Sequence, residues 1–453
     1  MKRRILALKG AALRVLLHRH FYPACFFAAL LIRLAFISAF DPKPLSDFGW
    51  YFDKGREIAA GEGYVVKDDG FPLWDQGQPL ATPRPTAFWP VGYPAFLAAV
   101  FYLTSWLIDP LSAAKIANAI LYVFAIGAVA YSTKVIFSPV AARISALILA
   151  FLPNHIAYTS LTSVEIYFVF LTTTAIALVL HYREKNRTVF LVFAGLFFGL
   201  ATLTKPQSVA LAGAILVALY WGQWRRAAYV TAVVYIAALA CVLPWTYRNY
   251  QAFDGRLVFV SNNGGINLLI CNMPGAWGNK GLMWNKELDD IIATTTDEVT
   301  RDKAARAVYV HYATHNVGKM ISDLPMKVFA LFSADVDGFG WNQGSTTRFA
   351  NAPIWLPFRI VSQIYWMVMT ALAFGSAWYF RKSRAPALRT GAVVLLYFVG
   401  IALVFAGGPR FHFPVSPWLA AYAAGLLGAW LQDRPPGTEQ SADSKHEAVL
   451  QAG

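Results

Sequence analysis

Residues 21–64 read "FYPACFFAALLIRLAFISAFDPKPLSDFGWYFDKGREIAAGEGY". Up to Phe40 the run is almost wholly apolar and matches the length of about 20 residues that crosses a bilayer as a helix. After a Pro-rich connection, Asp47, Asp53 and Glu57 stand among Trp50, Tyr51 and Tyr64, aromatic residues of the kind that settle at a membrane–water interface. A span that delivers acids to the surface it has just left sets the reading of the whole chain.

Of the 453 residues, 57% are hydrophobic and 14% charged, against roughly 25% charged in a soluble domain. This composition predicts a polytopic all-α membrane protein. Apolar windows fall at 21–40, 87–106, 113–136, 140–157, 163–181, 188–204, 206–222, 226–246, 355–380, 389–406 and 412–431.

The net charge of +14 is read by position rather than as a nucleic-acid surface. Lys and Arg gather at 2–19, at Lys134 and Arg143, at Arg183, Lys185 and Arg187, at Arg225 and Arg226, and at Arg381, Lys382, Arg384 and Arg389. The positive-inside rule makes all of these cytoplasmic. They face one side together only if 87–106, "AFWPVGYPAFLAAVFYLTSW", does not cross, and its prolines and interfacial aromatics suit a helix lying at the outer surface. Ten spans with both termini inside follow. The chain then divides into a transmembrane core, 1–247, holding an extracytoplasmic loop, 41–112; an extracytoplasmic region, 248–352; further transmembrane helices, 353–431; and a polar, Pro/Gly/Ser-rich tail, 432–453, of disordered composition. Cys25, Cys241 and Cys271 make no disulfide framework. The first span reads as a retained signal anchor.

On the outer side, Asp47, Trp50, Tyr51, Lys54 and Ile58 share one face of a helix, with Asp53 and Glu57 on a neighbouring face. Asp47 falls near the N-terminus, where a carboxylate can cap free N–H groups, so a cap and a chemical role both stay open. The same side receives Arg84 in "TPRPTAFWP", Glu165 in "TSVEIYF", Lys205 in "TLTKPQS", Arg248 in "PWTYRNY", and Arg410 and His412 in "GGPRFHFPVSP". Singly each reads as an interfacial charge. Together they ring one outer vestibule and suit an anionic head group carried on a lipid tail, because charge near the apolar core costs on the order of 3 kcal/mol. In 255–274, "GRLVFVSNNGGINLLICNMP" predicts two short strands about an Asn-Gly-Gly turn, giving the outer region a small mixed α/β character. Residues 296–333 predict two helices with a break between Asn316 and Pro325. No Gly-rich phosphate loop and no metal-ligand spacing appears, His311, His315, Asp335 and Asp337 included. No cofactor is indicated, although a divalent cation is compatible with the acids present.

The stretches "DFGWYFDKGREIAAGEGY", "FWPVGYPAFLAAVFYL", "SLTSVEIYF", "GLATLTKPQ", "LPWTYRNYQAFDGRLVFVSNNGGINLLICNMP" and "PRFHFPVSP" come in an order that resembles the GT-C glycosyltransferases of family 39 type. That group includes protein O-mannosyltransferases, lipid A aminoarabinose transferases and bacterial galacturonosyl transferases. The resemblance implies transfer of one sugar from a polyprenyl-phosphate donor to an extracytoplasmic acceptor, a lipopolysaccharide, another envelope glycan or a protein, at a bacterial inner membrane. It implies that Asp47 is the catalytic base, with Asp53 competing because Phe48 stands where the family often has a second acid. It places Arg84, Arg248 and Arg410 at the lipid phosphate, with Glu165, Lys205 and His412 as further substrate-binding candidates. The rival reading is a transporter or flippase of a lipid-linked sugar; such proteins concentrate ionisable groups at mid-membrane, where only Arg33 lies here.

Overall fold

The computed structural model describes residues 2–433 apart from 69–78, 275, 277–285, 296, 348 and 384; most of the 432–453 tail lies outside the described residues. In chain order the elements are α1 (Lys2–Leu16), α2 (Phe21–Phe40), α3 (Ser46–Ala59), β1 (Val65–Asp68), β2 (Pro79–Pro85), α4 (Gly92–Thr104), α5 (Pro110–Ile136), α6 (Pro139–Ala150), α7 (Pro153–Tyr158), α8 (Val164–Lys185), α9 (Val189–Thr204), α10 (Ser208–Leu219) and α11 (Trp224–Ala252). Then come α12 (Gly264–Asn272), α13 (Lys286–Thr294), α14 (Glu298–His315), α15 (Val317–Ser333), α16 (Asp337–Ser345), α17 (Trp355–Tyr379), α18 (Arg389–Val404) and α19 (Ser416–Leu431). The strands pair antiparallel, with Val66 opposite Arg84.

Among the described residues six helices are long and apolar enough to cross a membrane: α2, α5, α8, α11, α17 and the stretch Pro386–Val404 that contains α18. The shorter apolar helices α6, α9 and α10, with α19, run beside them. The window 140–157, expected as one span, is broken after Ala150 and resumes at Pro153, whose ring removes a backbone donor and clashes with the preceding turn.

The bundle has two chemically different ends. At one, Arg226 donates to Asn186 (3.2 Å), Arg389 reaches the carbonyl of Ala218 (3.5 Å) and Lys9 binds the carbonyl of Trp430 (2.6 Å). These contacts bring the turns after α8 and α10 beside the starts of α11 and α18, and α1 beneath the end of α19. At the other end, Lys115 near the start of α5 pairs with Asp41 at the end of α2 (2.6 Å). The start of α4 packs there as well, Gly92 lying so close to Leu203 and Thr204 that no side chain fits. Since α4 begins and α5 resumes at the same end, α4 does not traverse the bundle; its 13 residues span only about 20 Å at 1.5 Å per residue.

The expected strands in 255–274 did not form. Residues 256–263 are irregular, and Gly264–Asn272 is the helix α12. Its free N-terminal N–H groups are taken by Asp302 of α14, which accepts from Gly265 (2.5 Å) and Ile266 (3.3 Å). An acid supplied from elsewhere in the chain therefore converts the Asn-Gly-Gly turn into a helix start. The break expected between α14 and α15 falls at Asn316.

Candidate active site

The polar end of the bundle is organised by the short helix α3. Its N-cap position is Leu45, which provides no side-chain cap, and Ser46 holds a left-handed φ of 53°, a strained conformation for a residue with a Cβ. This turn aims Asp47 into the bundle. Its Oδ2 receives Nη1 of Arg410 at 2.6 Å, so the carboxylate binds a cation across the bundle instead of capping its own helix. Phe48 lies beneath: its carbonyl accepts from Thr162 (2.8 Å), its ring packs on Trp341 (5.0 Å), and the Arg410 guanidinium sits 5.0 Å above it.

Arg410 stands in the irregular segment between α18 and α19. Besides Asp47 it holds Glu165 of α8, through Nε to Oε1 (2.6 Å) and Nη2 to Oε2 (3.4 Å). Lys205, at the C-cap of α9, reaches the same Glu165 Oε1 at 3.3 Å and lies 5.2 Å over the Phe168 ring. The side chain of Glu165 is 1% exposed, that of Asp47 16%; one acid is sealed in, the other meets solvent. Four residues from distant parts of the chain thus form a closed set of two carboxylates and two cations. Burial lowers the Lys205 ammonium and the Glu165 charge partly restores it. Burial opposes the Arg410 charge too, yet Asp47 and Glu165 outweigh it and hold the guanidinium well above its usual range.

Tyr51, one turn after Asp47, completes this wall. It is buried and packs on Trp89 (5.9 Å) and Tyr93 (5.9 Å). Burial, then the neighbouring Asp47 charge, push its hydroxyl up, keeping it a neutral donor beside the cluster. The i, i+4 offset from Asp47 is the sequence signal that pointed to it.

Residues 89–247 match the model of the dolichyl-phosphate-mannose-protein mannosyltransferase family. No curated protein matches the chain in sequence. Among solved structures, the archaeal oligosaccharyltransferase AglB from Archaeoglobus fulgidus, in complex with an inhibitory peptide and a dolichol-phosphate, aligns at a TM-score of 0.53 and 15% identity over 92% of this chain and 51% of its own. The same enzyme tethered to an acceptor peptide gives 0.55 and 16%, over 96% and 54%. The chain spans about half the length of this oligosaccharyltransferase. ArnT from Cupriavidus metallidurans bound to undecaprenyl phosphate aligns at 0.43 and 15%, over 92% and 79%. The chain shares the fold of this oligosaccharyltransferase.

Within this chain the family match holds Glu165 and Lys205, while Asp47 and Arg410 lie outside it. The remaining sequence candidates are not gathered with those four. Asp53 is exposed and lines an open groove of about 550 Å³ with Arg56, Glu57, Glu62 and Lys67. Arg84 is exposed on β2. Arg248 spends its guanidinium on backbone, donating to the carbonyls of Tyr64 (2.7 Å) and Thr86 (2.9 Å) while lying over Trp245, so it ties the strand pair to the end of α11. His412 is fully buried, stacked on Trp366 and paired with Asp335 at 3.0 Å. Sequence reasoning passed over Glu298, which accepts from the Ala87 N–H (2.6 Å), the Thr86 hydroxyl (2.7 Å) and the Asn262 amide (2.8 Å). It clamps the segment before α4 to α14, and one acid in a charged helix start carries no signal of that in sequence.

Proposed function

We propose that the protein moves one sugar from a polyprenyl-phosphate donor to an acceptor on the extracytoplasmic side of a bacterial inner membrane. The acceptor is a lipopolysaccharide, another envelope glycan or a protein. The observation that carries this reading is the Asp47–Arg410–Glu165–Lys205 set at the polar end of the bundle. The shared fold with an oligosaccharyltransferase solved with a dolichol-phosphate supports a lipid-linked donor.

In this reading Asp47 is the base. As the acceptor hydroxyl attacks the anomeric carbon, its proton passes to the Asp47 carboxylate, a transfer that contributes typically 100- to 10,000-fold. The bond from carbon to phosphate oxygen breaks, and the departing phosphate needs fixed cations at its oxygens. Arg410 and Lys205 supply them. The cluster is neutral as it stands, two acids against two cations. An arriving phosphate therefore competes with Asp47 for Arg410, and donor binding frees the base that the next step uses. Glu165 keeps Arg410 and Lys205 in place throughout. Arg248 serves by holding the strand pair over the site, and exposed Arg84 is the further cation that strand pair offers to the donor.

Purified protein in lipid nanodiscs, given polyprenyl-phosphate-linked hexose, uronic acid and aminosugar donors with a panel of envelope acceptors, should form product with one lipid-linked donor and none with the matching nucleotide sugars. Transfer from a nucleotide sugar refutes the reading. So does translocation of the lipid-linked sugar across vesicles without transfer.

A further inference from the structure

His412 and Asp335 form a second buried polar centre beside the first. Both are fully buried. The His412 Nδ1 lies 2.6 Å from the Leu331 carbonyl and Nε2 lies 3.0 Å from Asp335 Oδ1. A carbonyl only accepts, so Nδ1 donates to Leu331, and Nε2 shares a hydrogen bond with the Asp335 carboxyl. The imidazole is thus tethered at both ring nitrogens rather than packed loosely in an apolar core.

Every neighbouring element grips it. Asp335 lies in the linker between α15 and α16; its N–H donates to Gln363 (3.1 Å) and its carbonyl accepts from Ser362 (2.6 Å), both on α17. The Asn154 amide of α7 donates to Asp335 Oδ1 and accepts from the Gly338 N–H at 2.8 Å, which fixes the amide's orientation. A side chain at Gly338 would strike Asn154 and Tyr158, so α16 rests directly on α7. Oδ2 of Asp335 has no partner among the described residues. An uncompensated oxygen of this kind is costly in a dry site, and a centre built only for stability gains nothing from it.

The pair lies two residues from Arg410. On the other side of Arg410, Gly407 is pressed against the backbone of Lys327 and Leu331 with no room for a Cβ. The segment that carries Arg410 is therefore pinned to α15 on both flanks, by backbone contact at Gly407 and by the His412 hydrogen bond to Leu331.

We propose that Asp335 and His412 are positioning residues that set Arg410 against Asp47 and Glu165, so that the placement of α15 and α16 governs the cluster's hold on an anion. This rests on the reading of Arg410 as the cation that meets the donor phosphate. Neither residue touches the substrate.

A double-mutant cycle tests it, with Asp335→Asn, Arg410→Lys and the double variant purified in nanodiscs. Two readouts are taken: affinity for a short-chain polyprenyl phosphate, and the thermal midpoint without any ligand. Asp335→Asn keeps the side chain's shape, and should weaken polyprenyl phosphate binding about tenfold, as a coupling of about 1.4 kcal/mol implies. In the Arg410→Lys background it should have no further effect. An equal loss in both backgrounds, or no loss in either, overturns the proposal. If the wild-type protein does not bind polyprenyl phosphate, the reading of the site is what fails, and the ligand-free midpoints still decide. A smaller drop from Asp335→Asn in the Arg410→Lys background supports positioning, and additive drops overturn it. Should Asp335→Asn not fold, His412→Gln enters the same cycle with the same criteria.

Discussion

Arg410 meets two carboxylates through different edges of one guanidinium, Nη1 to Asp47 and Nε to Glu165, each at 2.6 Å. A planar fork can do this and a neutral amide cannot. Arg410→Gln leaves Glu165 sealed from water with Lys205 as its remaining cation, and the loss of one partner from a buried pair costs about 3 kcal/mol. The thermal midpoint of this variant should fall accordingly, and donor affinity should fall with it; an unchanged midpoint would show that the pair contributes nothing net. Asp47 makes the complementary case. Asp47→Asn retains an oxygen that Arg410 can reach but has no proton affinity near neutral pH, so transfer should drop about 100-fold or more, while donor binding is kept or tightened because the amide competes less for Arg410. Asp53→Asn, altering a solvent-exposed residue in the neighbouring groove, should transfer at the wild-type rate. The reverse pattern, an active Asp47→Asn beside a dead Asp53→Asn, moves the base to Asp53.

At the scale of elements, the segment before α14 shows what limits a reading from sequence. The Asn-Gly-Gly signal points to a hairpin because local turn chemistry favours one. The deciding partner, Asp302, lies 37 positions further on, and no local pattern reveals it. Residues 298–333 were legible as two helices because their apolar spacing is internal to each helix. The same division runs through the site: Asp47 and Tyr51 share a helical face that spacing discloses, while the contact of Arg410 with Asp47 joins residues 363 apart. Two predictions belong here. A Cβ at Gly265 would overlap the backbone of Asp302 and Arg306, whereas one at Gly264 meets only the end of the Arg306 side chain. Gly265→Ala should therefore destabilise by roughly 1–3 kcal/mol and Gly264→Ala should not, as read by protease cleavage between α12 and α14. Glu298 gives the other. Burial raises its carboxyl, and the Ala87, Thr86 and Asn262 hydrogen bonds only partly offset this. The folded protein then holds the Glu298 proton more tightly than the unfolded chain. Its contribution to stability is complete below the ordinary glutamate range and is lost as pH rises through the raised value. Glu298→Gln should remove that part of the pH dependence, making the variant's midpoint fall less than the wild type's from mildly acidic to neutral pH; parallel curves would refute it.

The whole molecule is ordered by charge. Glu165 opens α8 within the acid–base cluster, and α8 ends among Arg183 and Lys185; α9 returns to Lys205 at the cluster, and α10 leaves again for Ala218 beside Arg389. The start of α11 joins Asn186 through Arg226, and its far end carries Arg248 to the strand pair. The chain thus shuttles between a basic end and the site end even where single helices are short. This geometry agrees with the loop charges that put Lys185, Trp224 and Ser383 on one side of a membrane. In the proposed topology the positive-inside rule makes that side cytoplasmic, with α4 at the opposite surface. Single cysteines at Lys185, Trp224, Ser383 and Thr82, introduced after replacing Cys25, Cys241 and Cys271, give the test in intact cells. A membrane-impermeant maleimide should label Thr82→Cys directly, and the other three only after the membrane is permeabilised. Direct labelling at any two of those three would invert or break the ten-span arrangement, and with it the outward placement of Asp47. Because the bundle's two ends are fixed by its packing, such a result would carry the whole cluster to the cytoplasm and favour a donor supplied from that side.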